Sequence, residues 1–364
     1  MSNEARRLRV GMIGVGGVGR LHLEAYRRSA AVEVTALCDA DPERVADAAA
    51  ACGAAAYTGH RDMLMSESLD IVCILTPPAS RLGIVADVAA AGRAILVEKP
   101  MATTRADAEE MRRLCAAAGV PLSYGASYRH LPALKHARGL IAAGAIGDVT
   151  LLREDFVGGR GPSSRMALPP WHYPEGGIGG SGMGLVDHGV HLIDAFAWLT
   201  GSPVTWASGR GNVSGAPLET EYAILGLANG ATGHLLYEDG TWPTQLPAEG
   251  QFSWGASWDV DGYHPGGAWQ AHPGSIHVHG TRGALRIFHY AHALYLSDAE
   301  GTRQITLEGD PAPDHFRAQI DAFACEVRNG LAPTSNADAG IAALAVLEAI
   351  YASGARNIRV EPQS

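Results

Sequence analysis

The chain has 364 residues, 47% of them hydrophobic and 18% charged, with a formal charge of −10. That length exceeds one ordinary core and calls for two domains, and the acidic balance argues against a nucleic-acid partner, which needs clustered Lys and Arg for its phosphates. Five scattered cysteines without a CxxC read as reduced, buried thiols of a cytoplasmic protein. The Gly-rich start lacks a signal-peptide cleavage site, and no run reaches the roughly 18 apolar residues that span a bilayer.

Strand and helix alternate over the first 125 residues or so. Arg9–Ile13 reads as a strand, Val18–Ser29 as a helix and Glu33–Leu37 as a second strand. Asp41-Pro42 opens a helix as cap and first residue, and Gly53 ends it. Asp70–Leu75 is a continuous apolar strand, as expected where helices cover both faces of a sheet. Ser80–Ala91 is helical, Ala94–Val97 is a strand, Thr103 or Thr104 caps a helix that stops at Gly119, and Val120–Tyr124 is another strand. This order predicts a doubly wound parallel sheet. From about residue 148 the pattern turns antiparallel: Asn229-Gly230 marks one hairpin, and the segments 275–288 and 293–307 read as others. The chain ends in a helix near residues 338–354. The fold class is therefore α/β, with residues 1–127 as the doubly wound domain. Residues 128–364 form an α+β domain with a large, mostly antiparallel open sheet.

Gly14-Val15-Gly16-Gly17-Val18-Gly19 is a GxGxxG between a strand and a helix. Its glycines allow a tight turn, backbone approach to a pyrophosphate and close helix packing, and the helix N-terminus favours negative charge. Asp39, about 20 residues further at the end of the second strand, suits an adenosine ribose diol and repels a 2′-phosphate. No arginine follows it directly, so NAD is preferred over NADP. The plainer alternative is that Asp39 only begins the turn before Asp41-Pro42.

Four stretches together resemble the Gfo/Idh/MocA oxidoreductases, the glucose–fructose oxidoreductase and inositol dehydrogenase family. They are the GxGxxGxxH of Gly14, Gly16, Gly19 and His22; Thr76-Pro77-Pro78; Glu98-Lys99-Pro100; and the DxGxHxxD of Asp187, Gly189, His191 and Asp194. In order and spacing they span nearly the whole chain. The resemblance implies a Rossmann domain whose cofactor contacts are Gly14, Gly16, Val18, Gly19, Asp39, Thr76, Pro77, Glu98 and Lys99. It places Lys99 at a strand exit facing nicotinamide and substrate, commonly before a cis proline bond. Read without it, Lys99 is a surface lysine paired with Glu98.

The stretch 184–201 has the spacing of an amphipathic helix, with Val186, Val190, Ile193 and Ala197 as an apolar stripe. Asp187, His191 and Asp194 share the adjacent one. Alone, such a helix reads as structural, and His188, His191 and Asp187 read as metal ligands only weakly, so no metal is expected. The resemblance instead groups Lys99, Asp187 and His191 as catalytic residues: His191 or Lys99 as base, Asp187 orienting the substrate. It also implies substrate contacts from Lys99, Arg129, Asp187 and His191 and a homodimer or homotetramer; Trp171, placed just before this helix, is a further candidate to wall the same site, and no membrane partner is expected. Two positions depart from the family pattern: Arg81, where a histidine is common, and the glycine run before Asp187, broken by Ser181 and Met183. The Trp- and His-rich segment 241–279 suits either sugar stacking or an oligomer contact, while His277 and His279 share one strand face. The resulting expectation is an NAD-dependent dehydrogenase that oxidises a secondary ring hydroxyl of a sugar, glycoside or cyclitol. A redox-neutral NAD-dependent glycosidase or lyase, a dinucleotide sensor and a reductase of other carbonyls are the rivals.

Overall fold

A computed structural model describes residues 6–157, 184–211, 220–238, 256–259, 262–265, 275–309 and 314–362. The chain divides into two compact units, Met1–Ser127 with Pro313–Ile341, and Tyr128–Ala312 with Ala342–Ser364.

The first unit alternates β1 (Leu8–Ile13), α1 (Gly17–Tyr26), β2 (Val32–Cys38), α2 (Pro42–Cys52), β3 (Ala55–Tyr57), α3 (His60–Ser66), β4 (Ile71–Ile74), α4 (Arg81–Ala90), β5 (Ala94–Glu98), α5 (Arg105–Ala118) and β6 (Leu122–Gly125). Among the described residues its strands form one parallel sheet in the order β3-β2-β1-β4-β5-β6. This is the doubly wound order of dinucleotide-binding domains, with its crevice where the order reverses between β1 and β4. Local chemistry sets the helix ends. Asp41 accepts from the N–H groups of Glu43 and Arg44 and Thr104 from that of Asp107, while Gly53 and Gly119 close α2 and α5 in the left-handed region.

The second unit holds α6 (Pro132–Ala142), β7 (Val149–Val157), α7 (Val190–Thr200), β8 (Val204–Arg210), β9 (Glu221–Leu227), β10 (Thr232–Glu238), β11 (Ala256–Asp259), β12 (Gly262–Pro265), β13 (Ile276–Gly280), β14 (Gly283–Phe288), β15 (Ala293–Asp298) and β16 (Gly301–Gln304). Eight of these strands run β16-β15-β14-β13-β7-β10-β9-β8, antiparallel except where β10 lies parallel to β7. Helices α6 and α7 pack against this sheet and against each other.

Two helices near the end of the chain are α8 (His315–Arg328) and α9 (Ala337–Arg356). The sequence reading assigns all of 128–364 to the second domain, and α8 corrects it. Phe316, Ile320 and Phe323 on one face of α8 enter the core formed by Val10, Met12, Leu23, Tyr26, Ile71 and Leu96. Ser335 and Asn336 then pair with β6, the Ser335 carbonyl accepting from Tyr124 N–H at 2.7 Å. The same packing leaves Cys325 exposed on the far side of α8, and Cys52 is only partly covered, so the expected burial of every thiol holds for Cys38, Cys73 and Cys115 alone. Helix α9 is long and apolar enough to cross a membrane by length and composition, contrary to the sequence reading, but more than half of it is buried within the protein.

Candidate active site

At the carboxyl edge of the parallel sheet, three strand exits lie side by side: Gly14 after β1, Thr76 after β4 and Lys99 after β5. The glycine loop is shaped by contacts that side chains would block. Gly14 has φ +96°, and an added Cβ would meet the Leu75–Thr76 backbone at 2.9 Å; at Gly19 it would meet the Gly14 carbonyl at 2.2 Å. At Gly16 an added Cβ would meet nothing within 4 Å, so the loop has open space at the start of α1. Among the described residues no side chain caps that helix, and no acid occupies its first turn. Its N–H groups are therefore arranged for an anion such as a pyrophosphate.

Asp39 is buried, and its carboxylate accepts from Val15 N–H at 2.9 Å and from Asp41 N–H at 3.0 Å. The acid thus fastens the glycine loop to the exit of β2. Arg44 donates to it at 3.0 Å and pairs with Asp41 at 3.0 Å. No arginine follows Asp39 directly in sequence, but one turn of α2 brings this cation beside it.

Glu98, Lys99 and Pro100 are held from behind. Lys99–Pro100 is a cis peptide bond. The Lys99 N–H donates to the Glu98 carboxylate at 2.6 Å, and the other carboxylate oxygen lies 3.1 Å from His22 Nε2. Tyr26 Oη sits 2.9 Å from His22 Nδ1, so a fully buried chain runs from Tyr26 through His22 to Glu98. Burial pushes the Glu98 carboxyl up, but the hydrogen bond and charge of His22, with Lys99 and Arg81, outweigh it and hold the group below the usual carboxylate range. The Glu98 side chain is committed to the interior, where it positions its neighbour Lys99, itself half-buried. Arg81 is a brace of the same kind. Its Nε donates to the Thr76 carbonyl at 2.8 Å and its Nη1 donates to the carbonyls of Glu98 and Pro100, tying two strand exits together. The departure from the family pattern at Arg81 therefore falls on a buried support.

In the second unit, residues 185–200 differ from the regular helix expected. Leu185–Gly189 forms a single π-helical turn, with Gly189 N–H bonded to the Gly184 carbonyl, and only then does α7 begin. An isolated π turn of this sort often marks a functional site. Leu185 N–H is capped by Glu221 at 2.9 Å, and Gly189 lies where a Cβ would meet Leu185 and Tyr237 at 3.1 Å. The simple amphipathic pattern is also corrected. Leu185, Val186, Val190, Leu192, Ile193, Ala195, Phe196 and Leu199 are all buried, because α6 and the sheet cover more than one side, while Asp187 and His191 are half-buried.

The structure places His191 flat against Tyr128, with ring centroids 4.1 Å apart at 7°. The Tyr128 hydroxyl meets that of Tyr290 and lies 3.4 Å from His188 Nδ1. Burial, with the nearby Tyr290 and Glu154, keeps the Tyr128 hydroxyl protonated well above its ordinary range. Asp194 does not join Asp187 and His191. It is buried and takes Arg129 in a two-point pair, Nε to Oδ2 at 2.8 Å, which fastens α7 to the short turn that carries Arg129. Trp171, Ser181 and Met183 lie outside the described residues, as does most of 241–279. In β13, His277 is buried against Ser275 and stacks with the exposed His279.

Sequence reading misses the supporting roles of His22, Arg81 and Tyr128. The histidine carries a signal in the motif, but its partners Tyr26 and Glu98 meet it only in three dimensions.

Comparison with known proteins agrees with this geometry. Residues 8–126 match the model of the oxidoreductase family with an NAD-binding Rossmann fold, and residues 134–286 match the GFO/IDH/MocA C-terminal domain. A D-apiose dehydrogenase of Paraburkholderia graminis is 29% identical over 99% of this chain and 91% of its own. Inositol 2-dehydrogenase 2 of Paenarthrobacter aurescens is 24% identical over 95% and 97%. The aldose-aldose oxidoreductase of Caulobacter crescentus shares the fold, with a TM-score of 0.80 at 22% identity over 98% and 100%. With both halves matched in order, and with the glycine loop, the Glu98-Lys99-Pro100 exit and the turn into α7 in place, the chain belongs to the Gfo/Idh/MocA family of oxidoreductases.

Proposed function

We propose that the protein is an NAD-dependent dehydrogenase that oxidises a secondary ring hydroxyl of a sugar, glycoside or cyclitol. The observation that carries this reading is the carboxyl edge of the parallel sheet, where the open glycine loop and Lys99 lie at neighbouring strand exits. The related dehydrogenases named for apiose and inositol support a polyhydroxylated substrate.

Gly14, Gly16, Val18 and Gly19 would hold the pyrophosphate and Asp39 the ribose, with Thr76 and Pro77 as further contacts to the dinucleotide. When bound, the dinucleotide would supply the acceptor for the hydride that leaves the carbinol carbon. The chain's own residues handle the proton. Lys99 or His191 takes it from the hydroxyl as the carbonyl forms, and Asp187 orients the substrate. Tyr128 stacked on His191 limits the imidazole to one plane, and the Glu98 and Arg81 supports hold Lys99 at its exit. Arg129 and Trp171 complete the proposed substrate contacts. A soluble small molecule, a cytoplasmic setting and a homodimer or homotetramer accompany the reading, and the five free cysteines agree with a reducing compartment.

Arg44 favours a second cofactor reading. Swung away from Asp39 and Asp41, it would meet a 2′-phosphate and admit NADP. Steady-state rates with each dinucleotide decide between the two. NAD preference predicts a kcat/KM ratio that inverts or collapses in Asp39→Ala, whereas NADP preference predicts loss of activity in Arg44→Ala.

A further inference from the structure

Behind Tyr128 lies a cluster that the proposed dehydrogenase chemistry does not use. Glu154 of β7, His188 of the π turn and His289 just past β14 are all buried, and one donor atom from each lies within 4.8 Å of the others. Glu154 Oε2 is 3.1 Å from His188 Nε2, and Glu154 Oε1 is 3.9 Å from His289 Nε2. The second separation is too long for a hydrogen bond but suits two donors on one ion, whose bonds to nitrogen and oxygen are each roughly 2.0–2.2 Å.

The carboxylate is unevenly satisfied. Tyr237 donates to Oε2 at 3.0 Å and His188 Nε2 approaches the same oxygen, whereas Oε1 is buried with no hydrogen-bond partner among the described residues. A buried carboxylate oxygen left this way is costly. The surroundings also resemble the outer contacts of a metal centre. Tyr128 Oη lies 3.4 Å from His188 Nδ1, a partner that can hold the proton on Nδ1 once Nε2 gives up its own to ligate an ion. Tyr237 orients the carboxylate in the same manner.

We propose that Glu154, His188 and His289 form a binding site for one divalent first-row transition-metal ion of the zinc type. Two imidazoles with one carboxylate select such an ion over magnesium or calcium, which take oxygen ligands. Binding releases any proton on the ligating nitrogens, and no electron is transferred. The ion joins β7, the π turn and the end of β14, and so fixes the turn that carries Asp187. The site stands independently of the dehydrogenase reading.

The test uses the full chain without an affinity tag, stripped with a chelator, loaded with zinc or cobalt(II) and washed by gel filtration. One zinc retained per chain, a cobalt spectrum with nitrogen ligation, and loss of both in Glu154→Gln and His289→Gln support the site. Melting of the loaded chain several degrees above the stripped one supports it as well. Because those variants alter buried groups, the unsubstituted chain is decisive by itself: no retained zinc and no cobalt spectrum overturn the proposal. Retention at the unsubstituted level in both folded variants, which is surface binding only, overturns it too.

Discussion

Lys99 is positioned through residues that do not touch a ligand. Its backbone N–H is fixed by Glu98, Glu98 by His22, and the following carbonyl by Arg81. Lys99→Ala should therefore lower kcat by about 10²–10⁴-fold, the range of a lost proton-transfer group, while dinucleotide binding measured by fluorescence changes little. His22→Leu acts elsewhere. It leaves one oxygen of the buried Glu98 carboxylate without its imidazole partner and should cost about 3–5 kcal/mol in denaturant unfolding. His130 supplies a pH dependence. Burial and the nearby charges of Lys135 and Arg129 lower its pKa from 6.5 to about 4. Between those values the unfolded chain binds the proton and the folded chain does not, so stability is full above the upper value and falls as pH drops toward the lower. The loss should be about 2 kcal/mol once partial exposure is allowed for, and His130→Gln should flatten that part of the stability–pH curve.

Elements with strong local signals were legible from sequence. The Asp41-Pro42 start, the Gly53 and Gly119 stops and the Asn229-Gly230 hairpin each depend on a few adjacent residues, and each stands where expected. Elements that owe their form to distant partners were not. Strand β3 is three residues of an Ala-rich stretch and exists because β2 offers a free edge. Helix α3 is too short and polar for periodicity to reveal. The π turn needs the Glu221 cap and the close approach at Gly189, and Glu221 lies far from Asp187 in the chain. The glycine loop follows the first group, since close approach alone dictates it. Gly19→Ala drives a Cβ into the Gly14 carbonyl, and calorimetry should show dinucleotide binding weakened at least about tenfold, with the melting temperature also lowered.

At the scale of the whole molecule, the sequence revealed two domains, the parallel and antiparallel sheets and the motif positions, because strand–helix alternation and hairpin signals are local. It did not reveal that residues 313–341 return to the first unit, since α8 reads only as an amphipathic helix and its apolar face names no partner. A fragment ending at residue 127 therefore leaves bare the core surface that Phe316, Ile320 and Phe323 cover. It should show no cooperative thermal transition by near-ultraviolet circular dichroism, while the full chain does. The clusters around Glu98 and Glu154 were equally hidden, each drawing residues far apart in the chain onto one carboxylate.

The most direct test of the proposed activity is NADH formation by the purified chain against a panel of sugars, glycosides and cyclitols, run with NAD and NADP and with Lys99→Ala alongside. A dehydrogenase with Lys99 at its centre turns over a ring polyol with NAD, at a rate that falls by about 10²-fold or more in the variant. Tight NAD binding without net oxidation of any panel member, or turnover undiminished in Lys99→Ala, would contradict it.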